Sequence, residues 1–368
     1  MSKSFNADRL KLARLARGWK QGELAERVAS SPSYISELER AKKEPGDLLV
    51  EALAEALGYS PEFFYKEEPV LFQRDSVNFR HRAATPEYLK DRIASRASLY
   101  GTLIQFLDSQ LGLPSFDVPD IAATTKEEVE EAARYCRQYW GLGAEAPVDN
   151  MVRVAENAGV PTVEFEDVDK VDAFSAVSAE TAVIFLNRMR PSASRRKWSI
   201  GHELGHLVVH RNVTTGDKAT EDQANLFAGE FLMPAASFGP EFRAMPRRDL
   251  AHMLELKQRW KTSLQAIICR GRDLGYLSAV ETRRLYKLLS ARGWRRQEPH
   301  EPEEDIPEII PSAIAALGEV LGWTLLDAAN ALGIDRENIE LITGLEIALP
   351  RPDNVTSIHR FRASRQAN

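Results

Sequence analysis

Cysteine, long apolar runs and a secretory leader are what this sequence lacks. The chain of 368 residues has two cysteines, Cys136 and Cys269, which lie far apart in helical-looking segments and are expected to be small buried thiols. This usage indicates neither a disulfide framework nor a cysteine zinc site. No apolar run approaches bilayer length, and the first residues lack the apolar core of a signal peptide. We therefore expect a cytoplasmic protein that makes no membrane contact.

Charge of one sign is also not dominant. The chain has 48 Lys and Arg against 54 Asp and Glu, a formal net charge of −6. A chain of this balance does not coat nucleic acid indiscriminately, so any DNA contact must come from a local surface. The hydrophobic share of 43% and the charged share of 28% are typical of an ordinary globular protein, and the length predicts two or three domains.

What the sequence does have begins with a compact helical domain at residues 1–68. Apolar periodicity and turn signals predict five short helices. They are expected at residues 8–17, 21–28, 32–39, 47–56 and 61–65. A charged stretch from residue 66 to residue 69 marks the expected end of this domain.

The second and third of these helices have the anatomy of a helix-turn-helix. Ser31 is a good N-cap and Pro32 takes the first helical position, so the third helix begins sharply. In a helix-turn-helix the N-terminal end of that helix enters the major groove of DNA. The residues predicted to contact DNA are Gln21, Ser31, Ser33, Tyr34, Glu37 and Lys42. The alternative is a helical bundle used for dimerisation or protein contact.

Nearby basic side chains are candidates for phosphate contacts: Arg9, Lys11, Arg14, Lys20 and Lys43. From Arg9 to the Leu-Gly-Tyr-Ser-Pro-Glu-Phe-Phe run at 57–64, the segment resembles the XRE/Cro-type repressor family. The family usually has glycine at the turn where this chain has Ala29. The resemblance implies a regulator that binds a double-stranded DNA operator, and paired half-sites imply a homodimer.

Two histidines four residues apart, His202 and His206, carry the strongest chemical signal. On a helix they lie one turn apart on the same face, so both imidazoles can reach one metal ion. Glu203 follows the first histidine and can accept a proton from metal-activated water and later give it to a leaving amine. This is the zincin pattern of Zn²⁺ hydrolases. The alternative is a pair of surface histidines without a metal.

A zinc site that keeps one position open needs a third protein ligand. His210 continues the same stripe, but about 12 Å of helix separates it from His202, so one ion cannot bind all three histidines. A hydrogen bond near the ligands or at the helix end is its expected role.

The predicted third ligand is Glu221, at the start of a helix expected at 221–232, with Asp222 as the alternative. Ala224 and Ala228 are small enough to let this helix approach the histidine helix closely. The alternative is that Glu221 stabilises the helix start and binds no metal, because acidic residues are favoured in a first helical turn and Thr220 begins a capping-box pattern.

These residues resemble the ImmA/IrrE family of metallopeptidases over roughly residues 70–295. The resemblance rests on His-Glu-Leu-Gly-His at 202–206, Glu-x-x-Ala-Asn-x-Phe-Ala at 221–228 and Leu-Met-Pro at 232–234. It implies a zinc endopeptidase that cleaves a repressor-like regulatory protein. The position just before Ala224, commonly acidic in the family, is Gln223 here.

The expected fold class is mainly α. The five-helix domain is followed by an α+β zincin-like metallopeptidase domain at 69–297, with a small sheet from strands at 161–165 and 181–186. An acidic, proline-rich linker at 298–305 leads to a small helical accessory domain at 306–350, and the tail from Arg351 is expected to be disordered. Residues 325–342 faintly echo helix-turn-helix spacing, although plain accessory helices are the preferred interpretation.

The remaining helices are predicted from about 86 to 111, 126 to 140, 147 to 157, 194 to 209, 247 to 257, 263 to 273, 278 to 291, 311 to 321, 324 to 332 and 335 to 342. Two functional classes fit the whole chain. One is a DNA-binding regulator whose peptidase answers a signal such as stress; the other is a regulator whose zincin-like domain is a sensor or dimerisation unit without significant turnover. Intact Glu203 favours the first, because a purely structural metal site needs no adjacent base.

Overall fold

The computed structural model describes residues 4–67, 72, 77–78, 86–165, 172–178, 181–189, 192–211, 213 and 215–347. The N-terminal helices are α1 Ala7–Ala16, α2 Gln21–Arg27, α3 Pro32–Glu39 and α4 Asp47–Leu57, followed by a 3-10 helix, Pro61–Tyr65. These five helices match the expected set. The predicted end of the domain near residue 68 and the tail from residue 351 lie outside the described residues.

The middle of the chain combines helices with a small sheet. Its elements are β1 Val77–Asn78, α5 Glu87–Leu111, α6 Lys126–Tyr139, α7 Met151–Asn157, β2 Thr162–Phe165, β3 Ala173–Val177 and β4 Ala182–Asn187. Helices then follow without further strands in the described part of the chain: α8 Ala193–Val209, α9 Lys218–Leu232, α10 Ala235–Ala244, α11 Leu250–Trp260, α12 Leu264–Asp273 and α13 Ala279–Ala291. The C-terminal helices are α14 Ile309–Leu321, α15 Leu325–Leu332 and α16 Arg336–Thr343. The mainly α prediction is confirmed.

The sheet has the strand order β1-β3-β4-β2. Strand β2 runs parallel to β4, whereas β3 runs antiparallel to both of its neighbours. Strand β3 was not predicted, because its Ala-Phe-Ser-Ala-Val sequence is short and carries no clear turn signal. It lies beside β4, with Ser175 opposite Ile184, and packs against α8.

Both faces of this sheet are buried. Val183 and Phe185 belong to a core shared with the N-terminal helices, α5 and the C-terminal helices, whereas Ile184 and Leu186 belong to a second core built around α8 and α9. Alternate residues of one strand therefore enter different cores. This explains why β4 reads as an unbroken apolar run rather than as an alternating strand.

Helix α9 begins one turn earlier than predicted. Its N-cap is Asp217, whose side chain accepts hydrogen bonds from the backbone N–H groups of Ala219 and Thr220. The capping box predicted from Thr220 is therefore wrong, because the aspartate takes that role. Glu221 consequently lies within the helix, where its side chain direction is fixed by the helical backbone.

Residues 298–305, called here the acidic segment, are bound to the helices of the second core. The Lys257 ammonium group on α11 lies 2.8 Å from the Glu298 carboxylate, and both side chains are fully buried. Lys197 on α8 is paired with Asp305 at 2.7 Å in the same way. The carboxylates of the acidic segment are thus counter-ions of buried lysines. Its acidic, proline-rich composition predicted only a linker.

Of the two cysteines, Cys136 is buried as expected, whereas Cys269 is only partly buried and lies 3.0 Å from the Tyr286 hydroxyl. Among the helices described, none alone is long and apolar enough to cross a membrane; α14 and α15 pass that test only as a pair bent by 91°, by length and composition.

Candidate metal site and DNA interface

The two histidines face one another on α8. His202 and His206 are both buried, and their Nε2 atoms lie 3.1 Å apart. The two carboxylate oxygens of Glu221 on α9 approach one histidine each: Oε2 lies 3.4 Å from His202 Nε2, and Oε1 lies 3.5 Å from His206 Nε2. The ligand atoms of these three residues all lie within 4.8 Å of one another.

Close packing of α8 on α9 makes this approach possible. A Cβ atom on Gly205 would lie 3.1 Å from the Phe227 side chain, which is tighter than ordinary contact. A Cβ atom on Gly201 would touch Ala228 at 3.5 Å. Besides the small alanines expected on α9, two glycines on α8 therefore set the short distance between the helices.

The protons of His202 are fixed by its neighbour Asn225. The Asn225 amide nitrogen donates to the Glu221 carbonyl, so its oxygen is the atom that faces the His202 ring. That oxygen lies 3.2 Å from Nδ1 and accepts from it, because an amide oxygen cannot donate. In the neutral ring the proton is then on Nδ1, and Nε2 keeps its lone pair.

A longer chain of hydrogen bonds fixes His206. Gln223 donates to the Thr124 carbonyl, so its amide oxygen accepts from His210 Nε2 at 2.8 Å. The other nitrogen of a neutral His210 is then an acceptor, and it lies 3.1 Å from His206 Nδ1. His206 therefore donates from Nδ1 and, like His202, presents an Nε2 lone pair.

The resulting donor set fits a zinc ion. Two imidazole lone pairs and a carboxylate face a common point with no proton between them, and a cation satisfies such a cluster. Ligands of a tetrahedral site with Zn–N and Zn–O bonds of about 2.0–2.1 Å are separated by roughly 3.3 Å, close to the distances found here.

Glu203 occupies the buried flank of the same site. It is 2% exposed, and its carboxylate accepts a 2.7 Å hydrogen bond from the Ser175 hydroxyl on β3. Burial raises the pKa of Glu203 to about 7, against the opposing effects of His206 and the Ser175 hydrogen bond. A carboxyl group with this pKa can accept and return a proton near neutral pH.

The two alternatives for the third ligand take other places. Asp222 is exposed and lines a cavity of about 880 Å³ that also reaches Asn225 and Trp198. His210 ends α8 and bonds to its neighbours as described, which is the hydrogen-bonding position expected for it. The cavity lining thus includes Asn225, the residue that holds His202.

Helices α2 and α3 form the expected helix-turn-helix. Ser31 caps α3 by accepting a hydrogen bond from the Tyr34 N–H, and Pro32 takes the first helical position. Ala29 has a φ of 49°, so alanine adopts here the left-handed conformation that usually favours glycine.

The predicted DNA-contact residues differ in how freely they face outward. Ser31, Ser33 and Lys42 are exposed, whereas Tyr34 and Glu37 are half-buried. The Tyr34 hydroxyl donates to the Glu44 carbonyl at 3.3 Å, and Glu37 pairs with Lys43 at 2.8 Å. Gln21 is the first residue of α2, and its amide nitrogen already donates to the Glu39 carboxylate at 2.8 Å.

Two of the basic residues considered for phosphate contact serve the interior instead. Arg14 is buried and forms a two-pronged ion pair with Glu39. Arg9 is buried and donates to the Glu67 carbonyl. The prediction that these two residues contact phosphates is therefore wrong, because both guanidinium groups are bound to partners inside the N-terminal domain.

Comparison with known families agrees with this geometry. Residues 155–270 match the peptidase M78 family model, described as the IrrE N-terminal-like domain, and residues 10–64 match a helix-turn-helix family model. The chain joins a helix-turn-helix to an IrrE-like domain. Both resemblances found in the sequence are thereby confirmed. No curated protein matches the chain.

The IrrE-like match contains the histidines, Glu203 and Glu221, and the helix-turn-helix match contains the predicted DNA contacts. The roles of these residues and the domain boundaries stay predictions. Sequence reasoning missed the parts played by Ser175, Gln223 and Asn225. Gln223 and Asn225 flank Ala224 in the recognised motif, and their amide side chains could have indicated a hydrogen-bonding role. Ser175 lies on a strand that was not predicted, so no pattern indicated its contact with Glu203.

Proposed function

We propose that the IrrE-like domain is a zinc-dependent endopeptidase and that the helix-turn-helix domain makes the chain a DNA-binding regulator. The observation that carries the proposal is the position of Glu203 beside the three-residue cluster. A structural metal site needs the ligands alone, whereas this site also holds a buried carboxylate whose pKa, about 7, suits proton transfer near neutral pH.

His202, His206 and Glu221 would hold the zinc ion, and the fourth position would stay open. Zinc bound there supplies Lewis-acid chemistry, which polarises a peptide carbonyl and acidifies water. Glu203 accepts the proton from the attacking water and delivers it to the departing amine nitrogen. Ser175 keeps the carboxylate oriented, while the contacts of Asn225 and His210 would leave the Nε2 lone pairs of His202 and His206 free to hold the ion.

The proposed substrate is a repressor-like regulatory protein, cut in response to a signal such as stress. This step follows from the ImmA/IrrE resemblance, and the helix-turn-helix domain would place the peptidase near an operator. A homodimer is proposed because such readers commonly bind paired half-sites. The proposed location is the cytoplasm.

The test is zinc content and cleavage measured on the full chain. Unmodified protein, Glu203→Gln and His202→Ala are each purified with zinc present and incubated with repressor-like proteins encoded near its own gene. We expect one zinc per chain in the unmodified protein and in Glu203→Gln, loss of zinc in His202→Ala, and cleavage by the unmodified protein alone.

Absence of zinc from the unmodified protein would overturn the proposal. Zinc without cleavage of any candidate would favour the alternative, a regulator whose zincin-like domain is a sensor or dimerisation unit. Equal cleavage by unmodified protein and Glu203→Gln would show that the carboxylate is not the base.

A further inference from the structure

The C-terminal helices α15 and α16 repeat the local structure of α2 and α3. In both pairs a helix of seven or eight residues is followed by a short turn and by an eight-residue helix. The buried apolar positions correspond at one constant offset along the chain. The corresponding pairs are Ala25 and Ala329, Val28 and Leu332, Ile35 and Ile339, and Leu38 and Ile342.

The two turns also correspond. Ala29, with a φ of 49°, has its counterpart in Gly333, with a φ of 72°. The next residue in each turn donates its N–H to the alanine carbonyl five positions before it, from Ser30 at 2.8 Å and from Ile334 at 2.9 Å. The chain reversal between the helices is therefore the same in both pairs.

The caps complete the correspondence. Ser31 caps α3 by accepting the Tyr34 N–H, and Asp335 caps α16 by accepting the N–H of Asn338. In the first helices of both pairs an acidic residue at the third helical position accepts the backbone N–H of the N-cap residue, Glu23 from Lys20 and Asp327 from Thr324. We call α2 with α3 the first unit and α15 with α16 the C-terminal unit.

The second helices meet different surroundings at their N-terminal ends. In the first unit Ser33 is exposed to solvent and Tyr34 is half-buried. In the C-terminal unit Asn338, the counterpart of Tyr34, is 3% exposed. Its side-chain amide donates to the carbonyls of Leu57 and Gly58, at 3.0 and 2.8 Å. The Asn338 side of this end of α16 is thus packed against the C-terminal end of α4, whereas Glu337 beside it is exposed.

Backbone hydrogen bonds extend this contact. The Ser60 N–H donates to the Gly333 carbonyl at 2.9 Å, and the Asp335 N–H donates to the Gly58 carbonyl at 3.1 Å. Tyr59 and Ile334 between them form a single antiparallel bridge. The C-terminal unit is therefore joined to the N-terminal domain by main-chain pairing as well as by side chains.

The charge at this end suits a protein surface and not a phosphate backbone. Glu337, the counterpart of Ser33, lies 3.0 Å from Arg17 of α1, and Asp335 lies 3.9 Å from the same guanidinium. Two carboxylates at the leading end of a recognition helix repel DNA phosphates, whereas they complement an arginine.

We propose that α15 and α16 form a second helix-turn-helix unit whose recognition end binds the N-terminal domain of its own chain. The acidic segment, which is connected to this unit through α14, is bound to α8 and α11 through Lys197 and Lys257. The unit therefore holds the DNA-binding domain in one position relative to the IrrE-like domain. The partner of this recognition helix is the C-terminal end of α4, with its two accepting carbonyls, together with Arg17 at the end of α1.

Amide hydrogen exchange of the full chain tests the contact with a matched pair of variants. Gly333→Ala places a Cβ atom 2.8 Å from the Ser60 hydroxyl and 3.2 Å from Phe63. Gly322→Ala is the control, since it also ends a helix with a positive φ, 69°, but a Cβ atom there meets nothing within 4 Å. Ala29 shows that alanine fits this kind of turn, so the clash distinguishes the two variants.

We expect the Ser60 amide to exchange on the order of tenfold faster in Gly333→Ala and in Asn338→Ala, as for the loss of one or two hydrogen bonds. It should be unchanged in Gly322→Ala, and amides within α3 should be unchanged in all variants. Unchanged Ser60 exchange in both contact variants would overturn the proposal. An equal rise throughout the N-terminal domain would also overturn it, since that outcome means a global loss of stability.

A second measurement separates protein binding from DNA binding. A 30-base-pair duplex of mixed sequence is added to the unmodified chain at low salt, and exchange is followed in both units. The proposal expects slower exchange at residues 31–42 and no change at residues 335–343. Slower exchange at the N-terminal end of α16 would show that it binds DNA and would overturn the assignment.

Discussion

His210 and Gln223 are joined by a 2.8 Å hydrogen bond between the imidazole Nε2 atom and the amide oxygen. An amide neither gains nor loses a proton near neutral pH, so this partner keeps His210 in one neutral form. Burial lowers the pKa of His210, against the opposing effect of the Gln223 hydrogen bond. A glutamine where the family commonly has an acid therefore still directs the proton of His206.

Gln223→Leu should weaken zinc binding because it removes the acceptor that sets the tautomer of His210 and, through it, that of His206. Outer hydrogen-bond partners of ligands are typically worth 10–100-fold in metal affinity, and we expect a loss within that range. Competition with a chelating dye measures it. Asp222→Asn, one residue away on the exposed side of α9, is the control and should bind zinc normally; equal affinity in both variants would contradict this prediction.

Glu221 and Asp222 can be distinguished by the same titration. Glu221→Gln removes a charged ligand that lies 3.4 and 3.5 Å from the two Nε2 atoms, and zinc affinity should fall by more than about a hundredfold, beyond the effect of an outer partner. Asp222→Asn should leave it unchanged. The opposite order would identify Asp222 as the ligand.

Glu203 should make the stability of the metal-free protein depend on pH. Burial raises its pKa from 4.5 to about 7, so its favourable contribution is full below pH 4.5 and is lost as the pH rises through 7. Gln cannot ionise, so Glu203→Gln should gain up to about 3 kcal/mol over the unmodified protein between pH 4.5 and 8. Urea unfolding in a chelator at both pH values measures the difference.

Parallel pH profiles of these two proteins would show that Glu203 does not titrate in this range. Ser175→Ala provides a further check, because the hydroxyl stabilises the ionised carboxylate. Its loss should raise the pKa of Glu203 further and extend the decline in stability to higher pH.

Lys42 and Arg14 should separate DNA contact from folding. Lys42 is exposed, and Lys42→Ala should weaken binding of a DNA duplex and reduce the salt slope of the affinity by about one. Arg14→Ala should instead destabilise the N-terminal domain by about 3 kcal/mol, because it leaves Glu39 buried without its partner. Anisotropy titrations over several salt concentrations and thermal unfolding measure the two effects. A stable Arg14→Ala protein that fails to bind DNA would reverse this assignment.

Local signals in the sequence predicted much of this molecule. The spacing of His202 and His206 and the cap at Ser31 are properties of single helices, and both hold in the structure. The position of Glu221 beside the histidines depends on contact between α8 and α9, and the small residues on α9 predicted that contact. The strongly periodic helices were found in nearly their observed bounds.

What the sequence did not predict depends on contacts between distant segments. Ser175 reaches Glu203 only because β3 pairs with β4 and packs against α8. The missed helix α10 contains Pro240, a residue that argues against a helix when the local pattern is considered alone. Arg14 looked like a surface charge because its partner, Glu39, is 25 residues away.

The acidic segment has a consequence for any shortened form of this protein. A chain that stops at residue 297 would contain every residue of the proposed zinc site, yet it would leave the ammonium groups of Lys197 and Lys257 in the interior with no carboxylates from residues 298–305 to neutralise them. A buried charge that loses its partner typically costs about 3–5 kcal/mol, which is comparable to the whole stability of many domains. The smallest fragment able to fold around the histidine helix should therefore extend through Asp305.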